Sequence, residues 1–179
     1  MKKRLFIAIN CSEEIQLKYL KIKSKLSNLN VVWLQPSDIH TTLVPPWWEN
    51  EESVYMVQKK LESLSKLLKK CQIGFGSIRY GTTPNNPRLI WAGGESNTDL
   101  SLLKNQVDRE FNDKKDSRPF FPHVTLARFK NKEFVNFPIK DLDLRIKWKQ
   151  NVDAISLMES LGSRREKRYR IISNHPFSN

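Results

Sequence analysis

Two short segments, about eighty residues apart, carry the same pattern of a histidine, a threonine two positions later and then a leucine. They are His40-Thr41-Thr42-Leu43 and His123-Val124-Thr125-Leu126. Each lies in a run of β-forming residues, where side chains at i and i+2 point to the same face. Each strand therefore presents an imidazole and a hydroxyl to one surface and an apolar anchor to the other. A fold that uses both patterns brings one such strand from each half of the chain to a common cleft.

Hydrophobic periodicity around these motifs predicts short strands alternating with amphipathic helices, and the second half of the chain resembles the first. The predicted strands cover 5–9, 31–34, 37–44, 73–80, 88–92, 123–129, 152–161 and 168–172, and the predicted helices cover 12–29, 51–70 and roughly 100–111. Pro45 and Pro46 are expected to end the strand of the first motif. This order predicts an α+β fold with helices packed on antiparallel sheets, and the length of 179 residues predicts a single domain over residues 1–179.

The chain is strongly basic, with 31 Lys and Arg residues against 19 acidic residues and a net charge of +12. Such an excess points to a polyanionic partner, most often a nucleic acid. A hydrophobic fraction of 39% with only six Gly and nine Pro excludes a disordered or collagen-like chain. The basic run 164–170 is a candidate RNA contact, although most such runs are solvated hairpin faces.

The beginning of the chain has a positive segment, but its apolar run over 5–9 is shorter than the roughly 7–15 residues of a signal peptide. No stretch approaches the about 18 apolar residues of a membrane span. Cys11 and Cys71 are too few for a disulfide framework. We therefore expect a cytoplasmic protein with reduced cysteines and no membrane partner.

Histidine is rare in this sequence, and two of the three histidines lie in the repeated motif. Neither motif has a carboxylate companion and His175 lies in the C-terminal tail, so we expect neither a metal site nor a cofactor. Because an unperturbed imidazole titrates near about pH 6.5, two of them can serve as general base and general acid. Threonine hydroxyls beside them can donate hydrogen bonds to phosphoryl oxygens. The alternative is that both histidines are half-buried core residues.

Further segments accompany the two motifs: the opening strand over 4–9, Trp33, Pro87–Ala92 and Pro122–Arg128. Together they resemble the two-histidine phosphoesterase superfamily, and most closely its bacterial and archaeal RNA 2',3'-cyclic phosphodiesterases, also called 2'-5' RNA ligases (LigT-like). The resemblance covers nearly the whole chain. It implies a bilobal α+β fold, with two antiparallel sheets around a central cleft, helices on the outside and duplicated lobes related by a pseudo-twofold axis.

The resemblance also implies roles for individual residues. His40 and His123 match the catalytic histidines, and Thr42 and Thr125 match the threonines that bind the substrate. Arg128 matches an arginine near the phosphate. Its position has the parity of the apolar residues of its strand, so it reaches the cleft only if the strand ends or bulges before it. A solvated cation at the end of the strand is the alternative.

The sequence after the first motif departs from the family. Val44-Pro45-Pro46-Trp47-Trp48 stands where relatives usually carry a Phe-Leu-Gly type sequence. An exposed aromatic side chain here can stack on a nucleobase, and we assign Trp47 to substrate binding on this basis. A hydrophobic lid is the alternative role.

The resemblance implies a metal-independent RNA 2',3'-cyclic phosphodiesterase that acts as a monomer on RNA or nucleotides and leaves a 2'-phosphate. His123 is expected to be the base and His40 the acid, although nothing in the sequence separates the two. Reversible 2'-5' RNA ligation in vitro would use the same groups. The alternatives are a non-catalytic RNA-binding module and a phosphodiesterase for another cyclic phosphate, such as ADP-ribose cyclic phosphate.

Overall fold

The computed structural model describes residues 1–81, 86–111, 120–162 and 168–178. The strands found there are β1 (Lys2–Asn10), β2 (Val32–Trp33), β3 (His40–Asn50), β4 (Cys71–Gly81), β5 (Leu89–Gly93), β6 (His123–Arg128), β7 (Asp143–Val152), β8 (Ala154–Leu161) and β9 (Arg168–Pro176). The helices are α1 (Glu13–Lys25), α2 (Val54–Ser65), α3 (Thr98–Phe111) and α4 (Asn131–Phe134). Each of these helices is too short or too polar to cross a lipid bilayer.

The strands of the described residues form one antiparallel sheet in the order β7-β4-β5-β6-β3-β1-β8-β9, with β2 paired to β6 beside this path. The predicted α+β class with antiparallel strands is confirmed. Where two sheets were expected, one residue pair between β3 and β6, Thr41 with Val124, joins the two halves of the chain. The two motif strands are therefore direct neighbours. The duplicated lobes and the single domain over residues 1–179 stay predictions.

The two faces of the sheet are packed differently. The main hydrophobic core contains alternate residues of β1 together with side chains of the helices: Leu5, Ile7, Ile9, Ile15, Tyr19, Leu61, Leu100 and Leu103. The opposite face carries a small cluster of Phe6, Ala8 and Met158, against which Tyr169 packs. Because α1, α2 and α3 contribute to the main core, this opposite face is left available for a site.

Helix α1 begins where it was predicted, since the hydroxyl of Ser12 accepts a hydrogen bond from the backbone N of Ile15 at 3.4 Å. Its buried face differs from the one that the apolar positions Leu17 and Leu20 predict. Leu17 and Leu20 are exposed, whereas Tyr19 is fully buried. Tyr19 lies four residues after Ile15, so the two share one face of the helix and pack into the core together.

The strand of the first motif continues through Pro45 and Pro46, so the prediction that they end it was wrong. The pairing of β3 with β1 shifts between Val44 and Trp47, which leaves an extra residue on β3 at the prolines. At such a bulge a backbone N–H is not needed for the ladder, and proline is tolerated.

The last two predicted strands, 152–161 and 168–172, are confirmed as β8 and β9, which pair as a closing hairpin. Gly162, directly after β8, has a φ of 79°, a conformation that favours glycine. Residues 82–85 of the predicted connection before β5 and residues 164–167 of the basic run lie outside the described residues.

Strand β7 and helix α4 were not predicted. For β7 the signal was present, because Leu144, Ile146 and Trp148 alternate with charged residues, as in a half-buried strand.

Candidate active site

The two repeated motifs meet where β3 and β6 lie side by side. Antiparallel pairing around Thr41 and Val124 sets each histidine across from the threonine of the other motif. A cavity of about 260 Å³ lies there, and its lining includes Arg4, Phe6, His40, Thr42, His123, Thr125, Arg128, Ser160 and Tyr169. The structure thus brings together all the predicted site residues except Trp47.

A bulge in β6 turns Arg128 toward this cavity. The ladder between β6 and β5 shifts register between Thr125 and Ala127, so Leu126 is an extra residue on β6. Leu126 and Ala127 are both buried, and Arg128 returns to the face of Thr125. The sequence predicted that Arg128 reaches the cleft only if a bulge precedes it in the strand, and this bulge is present.

Groups outside the β5–β6 ladder hold the bulge. The carbonyl oxygen of Leu126 accepts a hydrogen bond from the backbone N of Leu34 at 3.0 Å. The hydroxyl of Tyr19 donates to the carbonyl of Leu34 at 2.6 Å and lies 3.4 Å from the carbonyl oxygen of Leu126. Because Tyr19 is fully buried, water does not replace these contacts. Helix α1 therefore contributes to the geometry of the site.

His40 is enclosed at one side of the cavity. Its Nδ1 lies 2.7 Å from the carbonyl oxygen of Asp38, and its ring packs against Phe6 and Tyr169 at centroid distances of 5.0 and 4.8 Å. Burial lowers the pKa of His40 to about 4; the Asp38 carbonyl opposes this shift, and the positive charges of the cavity add to it. His40 is therefore neutral at pH 7 in the free protein.

His123 is held in the same way. Its Nδ1 lies 3.1 Å from the carbonyl oxygen of Phe121, and its ring packs against Trp91 at a centroid distance of 4.7 Å. Since a carbonyl oxygen only accepts hydrogen bonds, Nδ1 is the donor in both of these contacts, and Nε2 is the nitrogen left to react. Two imidazoles held in this way can accept or donate a proton at Nε2.

Arg128 supplies a cation with an unused donor. Its Nη2 donates to the hydroxyl of Tyr169 at 3.2 Å. Its Nε is buried and has no hydrogen-bond partner among the described residues. A buried N–H without an acceptor costs free energy, so an anion in the cavity would be stabilised there.

Several side chains of the cavity were not predicted from the sequence, among them Arg4, Phe6 and Tyr169. For Arg4 and Phe6 the signal was present, because strand alternation puts them on the face opposite the apolar positions 5, 7 and 9. Tyr169 was obscured because it lies within the basic run. Arg170 of that run is ion-paired with the buried carboxylate of Glu159.

Trp47 lies outside the cavity. Its ring packs 6.4 Å from that of Phe111, and its Nε1 donates to Oε2 of Glu49 at 3.3 Å. Trp48 is 63% exposed and pairs across the sheet with Arg4, which lines the cavity. Because directly paired residues share a face, Trp48 rather than Trp47 lies on the side of the site.

Residues 27–164, about three quarters of the chain, match the family described as the 2'-5' RNA ligase superfamily. A protein of Archaeoglobus fulgidus named RNA 2',3'-cyclic phosphodiesterase is 26% identical over 132 residues, which cover 72% of this chain and 74% of the relative. A protein of the same name from Aquifex aeolicus is 29% identical over 136 residues, with coverages of 72% and 71%.

The fold is similar to that of E. coli LigT. Its crystal structure with NADP+ has a TM-score of 0.71 at 20% sequence identity, and the alignment covers 100% of both chains. Its structure with 3'-AMP has a TM-score of 0.69 at 21% identity, again over 100% of both chains. At this level of identity the likeness shows a shared fold.

Proposed function

Because this chain belongs to the 2'-5' RNA ligase superfamily, we propose that it is an RNA 2',3'-cyclic phosphodiesterase. It hydrolyses the terminal 2',3'-cyclic phosphate of RNA or of nucleotides, and it leaves a 2'-phosphate and a free 3'-hydroxyl. The names of the Archaeoglobus fulgidus and Aquifex aeolicus relatives support this activity.

One observation carries the proposal: a single cavity is lined by both histidines, both threonines and Arg128. A cyclic phosphodiester needs a proton acceptor on one side of phosphorus, a proton donor on the other and hydrogen-bond donors for its free oxygens. Two imidazoles, two hydroxyls and a guanidinium with an unused N–H match that requirement.

In the proposed mechanism, water attacks phosphorus and the bond from phosphorus to O3' breaks. His123 accepts the proton of the attacking water at Nε2, and His40 donates a proton to the leaving O3'. The hydroxyls of Thr42 and Thr125 and the guanidinium of Arg128 stabilise the negative charge on the phosphoryl oxygens. The same steps with the 5'-hydroxyl of a second RNA strand in place of water form a 2'-5' phosphodiester and again release O3' as a hydroxyl, which is the ligation reaction.

In the free protein the lowered pKa of His40 leaves its Nε2 without a proton, so the acid role requires that substrate binding form the imidazolium. An imidazolium of low pKa gives up its proton readily to a developing alkoxide. A bound cyclic phosphate carries a negative charge, which stabilises the imidazolium and raises the pKa of His40. Binding of the anionic substrate therefore promotes protonation of the group that must donate.

The test is hydrolysis of a nucleoside 2',3'-cyclic phosphate in the presence of EDTA, with the product identified by phosphorus NMR. We expect full turnover under EDTA and a 2'-phosphate product. His40→Ala and His123→Ala should each reduce the rate by about 10²–10⁴. His175→Gln is the matched control, since this histidine does not line the cavity, and it should stay active. Full activity in either site variant, or loss of turnover with EDTA, would contradict the proposal.

A substrate with sulfur in place of the leaving 3'-oxygen tests the two roles. A thiolate leaves without protonation, so the rate loss of the variant that lacks the acid should shrink with this substrate. We expect this relief for His40→Ala and not for His123→Ala. The opposite pattern would exchange the two roles.

A further inference from the structure

A second, larger groove lies on the strands next to the catalytic cavity. It has a volume of about 560 Å³ and lies across β4, β5 and β7, and we call it the basic groove. Its charged lining residues are Arg79, Arg145, Lys147, Lys149 and Glu95. We propose that the basic groove binds the RNA strand on the 5' side of the terminal nucleotide. This inference rests on the proposed function and extends it, because it makes an oligoribonucleotide the preferred substrate.

Strand pairing puts the groove and the cavity on one face of the sheet. His123 pairs with Gly93, Gly93 with Ser77, and Ser77 with Arg145. Directly paired residues point to the same face, so this row crosses from β6 to β7 on the side of the cavity. With strands about 4.8 Å apart, the row separates the backbones of His123 and Arg145 by about 14 Å.

Phe121 connects the two sites. It lines the basic groove and is 44% exposed. Its ring lies parallel to that of His123, with a centroid distance of 6.3 Å and an angle of 19° between the planes. An exposed ring next to a line of cations is the arrangement that proteins use to bind single-stranded nucleic acid.

The floor of the groove carries small residues. Gly74, Gly76, Gly93, Gly94 and Ser77 all line it. At Gly76 an added Cβ would have no other atom within 4 Å, so packing does not require a glycine there. The open floor leaves room for a ligand above the sheet.

The cations of the groove are accessible for phosphate. Lys147 and Lys149 are exposed, and neither forms an ion pair in the described part of the chain. Arg145 is 84% exposed and lies 3.9 Å from Asp143, itself largely exposed, a contact too weak to occupy it. Within the described ranges, Arg79 donates only to the hydroxyl of Ser77, at 2.7 Å from Nη2. Four cations against one carboxylate favour a polyanion.

The experiment compares a nucleoside 2',3'-cyclic phosphate with a short oligoribonucleotide that ends in the same group. For the unmodified protein we expect a higher kcat/KM on the oligonucleotide, and this advantage should decrease as salt is added. Gly76→Glu should lower kcat/KM on the oligonucleotide by about fivefold or more, and its activity on the mononucleotide should be unchanged. Gly76→Lys is the matched control of opposite charge and should retain or raise the oligonucleotide rate.

A second measurement does not depend on turnover. Binding of an oligoribonucleotide with a 3'-phosphate end, followed by fluorescence anisotropy, should weaken in the Lys147→Ala/Lys149→Ala variant. The slope of the logarithm of the binding constant against the logarithm of the salt concentration should become less steep by roughly 0.7 for each cation removed. Lys21→Ala/Lys23→Ala on α1 is the control and should bind like the unmodified protein.

The outcomes separate the two proposals. No turnover of either substrate would overturn the proposed function. Turnover of both with equal kcat/KM, and with no difference between Gly76→Glu and Gly76→Lys, would overturn the role of the groove alone. Equal losses on both substrates in Gly76→Glu, or binding of an acidic polypeptide in preference to RNA, would overturn it as well.

Discussion

His40 is a titratable residue whose surroundings oppose its charged form, although it lies where an anion is expected to bind. We predict that NMR of the free protein gives His40 a pKa of about 4, because burial disfavours the imidazolium. Addition of inorganic phosphate should raise this pKa. Arg128→Gln removes a nearby positive charge, so it should raise the pKa of His40 in the free protein and weaken the response to phosphate. A His40 pKa of about 6.5 that does not change when phosphate is added would contradict this account.

The two tryptophans after the first motif should respond differently to substitution. Trp48→Ala should raise KM for a cyclic nucleotide by about fivefold or more, since stacking on a base is worth about 1–3 kcal/mol, and it should leave the free energy of unfolding nearly unchanged. Trp47→Ala should lower the free energy of unfolding by about 2–4 kcal/mol, because its ring packs on Phe111, without raising KM. Steady-state kinetics and urea denaturation distinguish the two. A raised KM in Trp47→Ala and an unchanged KM in Trp48→Ala would mean that Trp47, and not Trp48, contacts the substrate.

At the residue scale, the face to which a side chain points could be predicted wherever the strand keeps its period of two. His40 with Thr42 and His123 with Thr125 each lie two positions apart within a regular strand segment, so their common face could be predicted. Trp47 could not be placed, because it follows a register shift that only the pairing with β1 reveals. Arg128 could be placed only conditionally for the same reason.

At the scale of elements, helix α1 and strand β2 act on the site through the bulge of β6. We predict that Tyr19→Phe lowers the free energy of unfolding by about 1–3 kcal/mol, because it removes the hydroxyl that donates to the buried carbonyl oxygen of Leu34. It should also lower kcat/KM, since Leu126 and the following Arg128 lose part of their support. Arg128 is thus held indirectly, and Tyr19 is a positioning residue.

Tyr80→Phe is the matched control for this prediction. The hydroxyl of Tyr80 donates to the carbonyl of Ile139 at 2.7 Å, away from the cavity. In urea denaturation, Tyr80→Phe should lower the free energy of unfolding as Tyr19→Phe does. Its kcat/KM should stay unchanged. A Tyr19→Phe variant that loses stability but keeps full kcat/KM would mean that the bulge does not depend on α1.

The elements themselves were predicted unevenly, for physical reasons. The N-terminus of α1 and the hairpin of β8 and β9 have local signals, a capping serine and a turn glycine. Strand β7 has a period-two pattern of charged and apolar residues, which indicates a half-buried strand but was not used in the prediction. Its position at the edge of the sheet depends on the pairing with β4, which is a tertiary contact.

For the whole molecule, buried histidines link stability to pH. Burial lowers the folded-state pKa of His40 to about 4 and also lowers that of His175. Between about pH 4 and pH 6.5 the unfolded chain therefore binds more protons than the folded protein, so the free energy of unfolding should rise with pH across this window. For His40 the effect is up to roughly 3 kcal/mol. Urea titrations near about pH 7 and pH 5 measure it.

His40→Gln is the reference for this pH dependence. Without the imidazole, the loss of stability between about pH 7 and pH 5 should be smaller than in the unmodified protein. The remaining slope then reports His175 and the carboxylates. Identical slopes in the two proteins would mean that the surroundings of His40 do not resist its protonation.

The pairing of Thr41 with Val124 determines which sequence changes this enzyme can tolerate. His40 and His123 lie on adjacent strands, each one residue from the pair of Thr41 and Val124. Their spacing is thus fixed by main-chain geometry, which substitutions in distant loops do not alter. An insertion or deletion of one residue within 40–42 or 123–125 would instead turn an imidazole to the opposite face of the sheet. This enzyme is therefore expected to tolerate substitutions in its loops better than a change of length within either of the two histidine motifs.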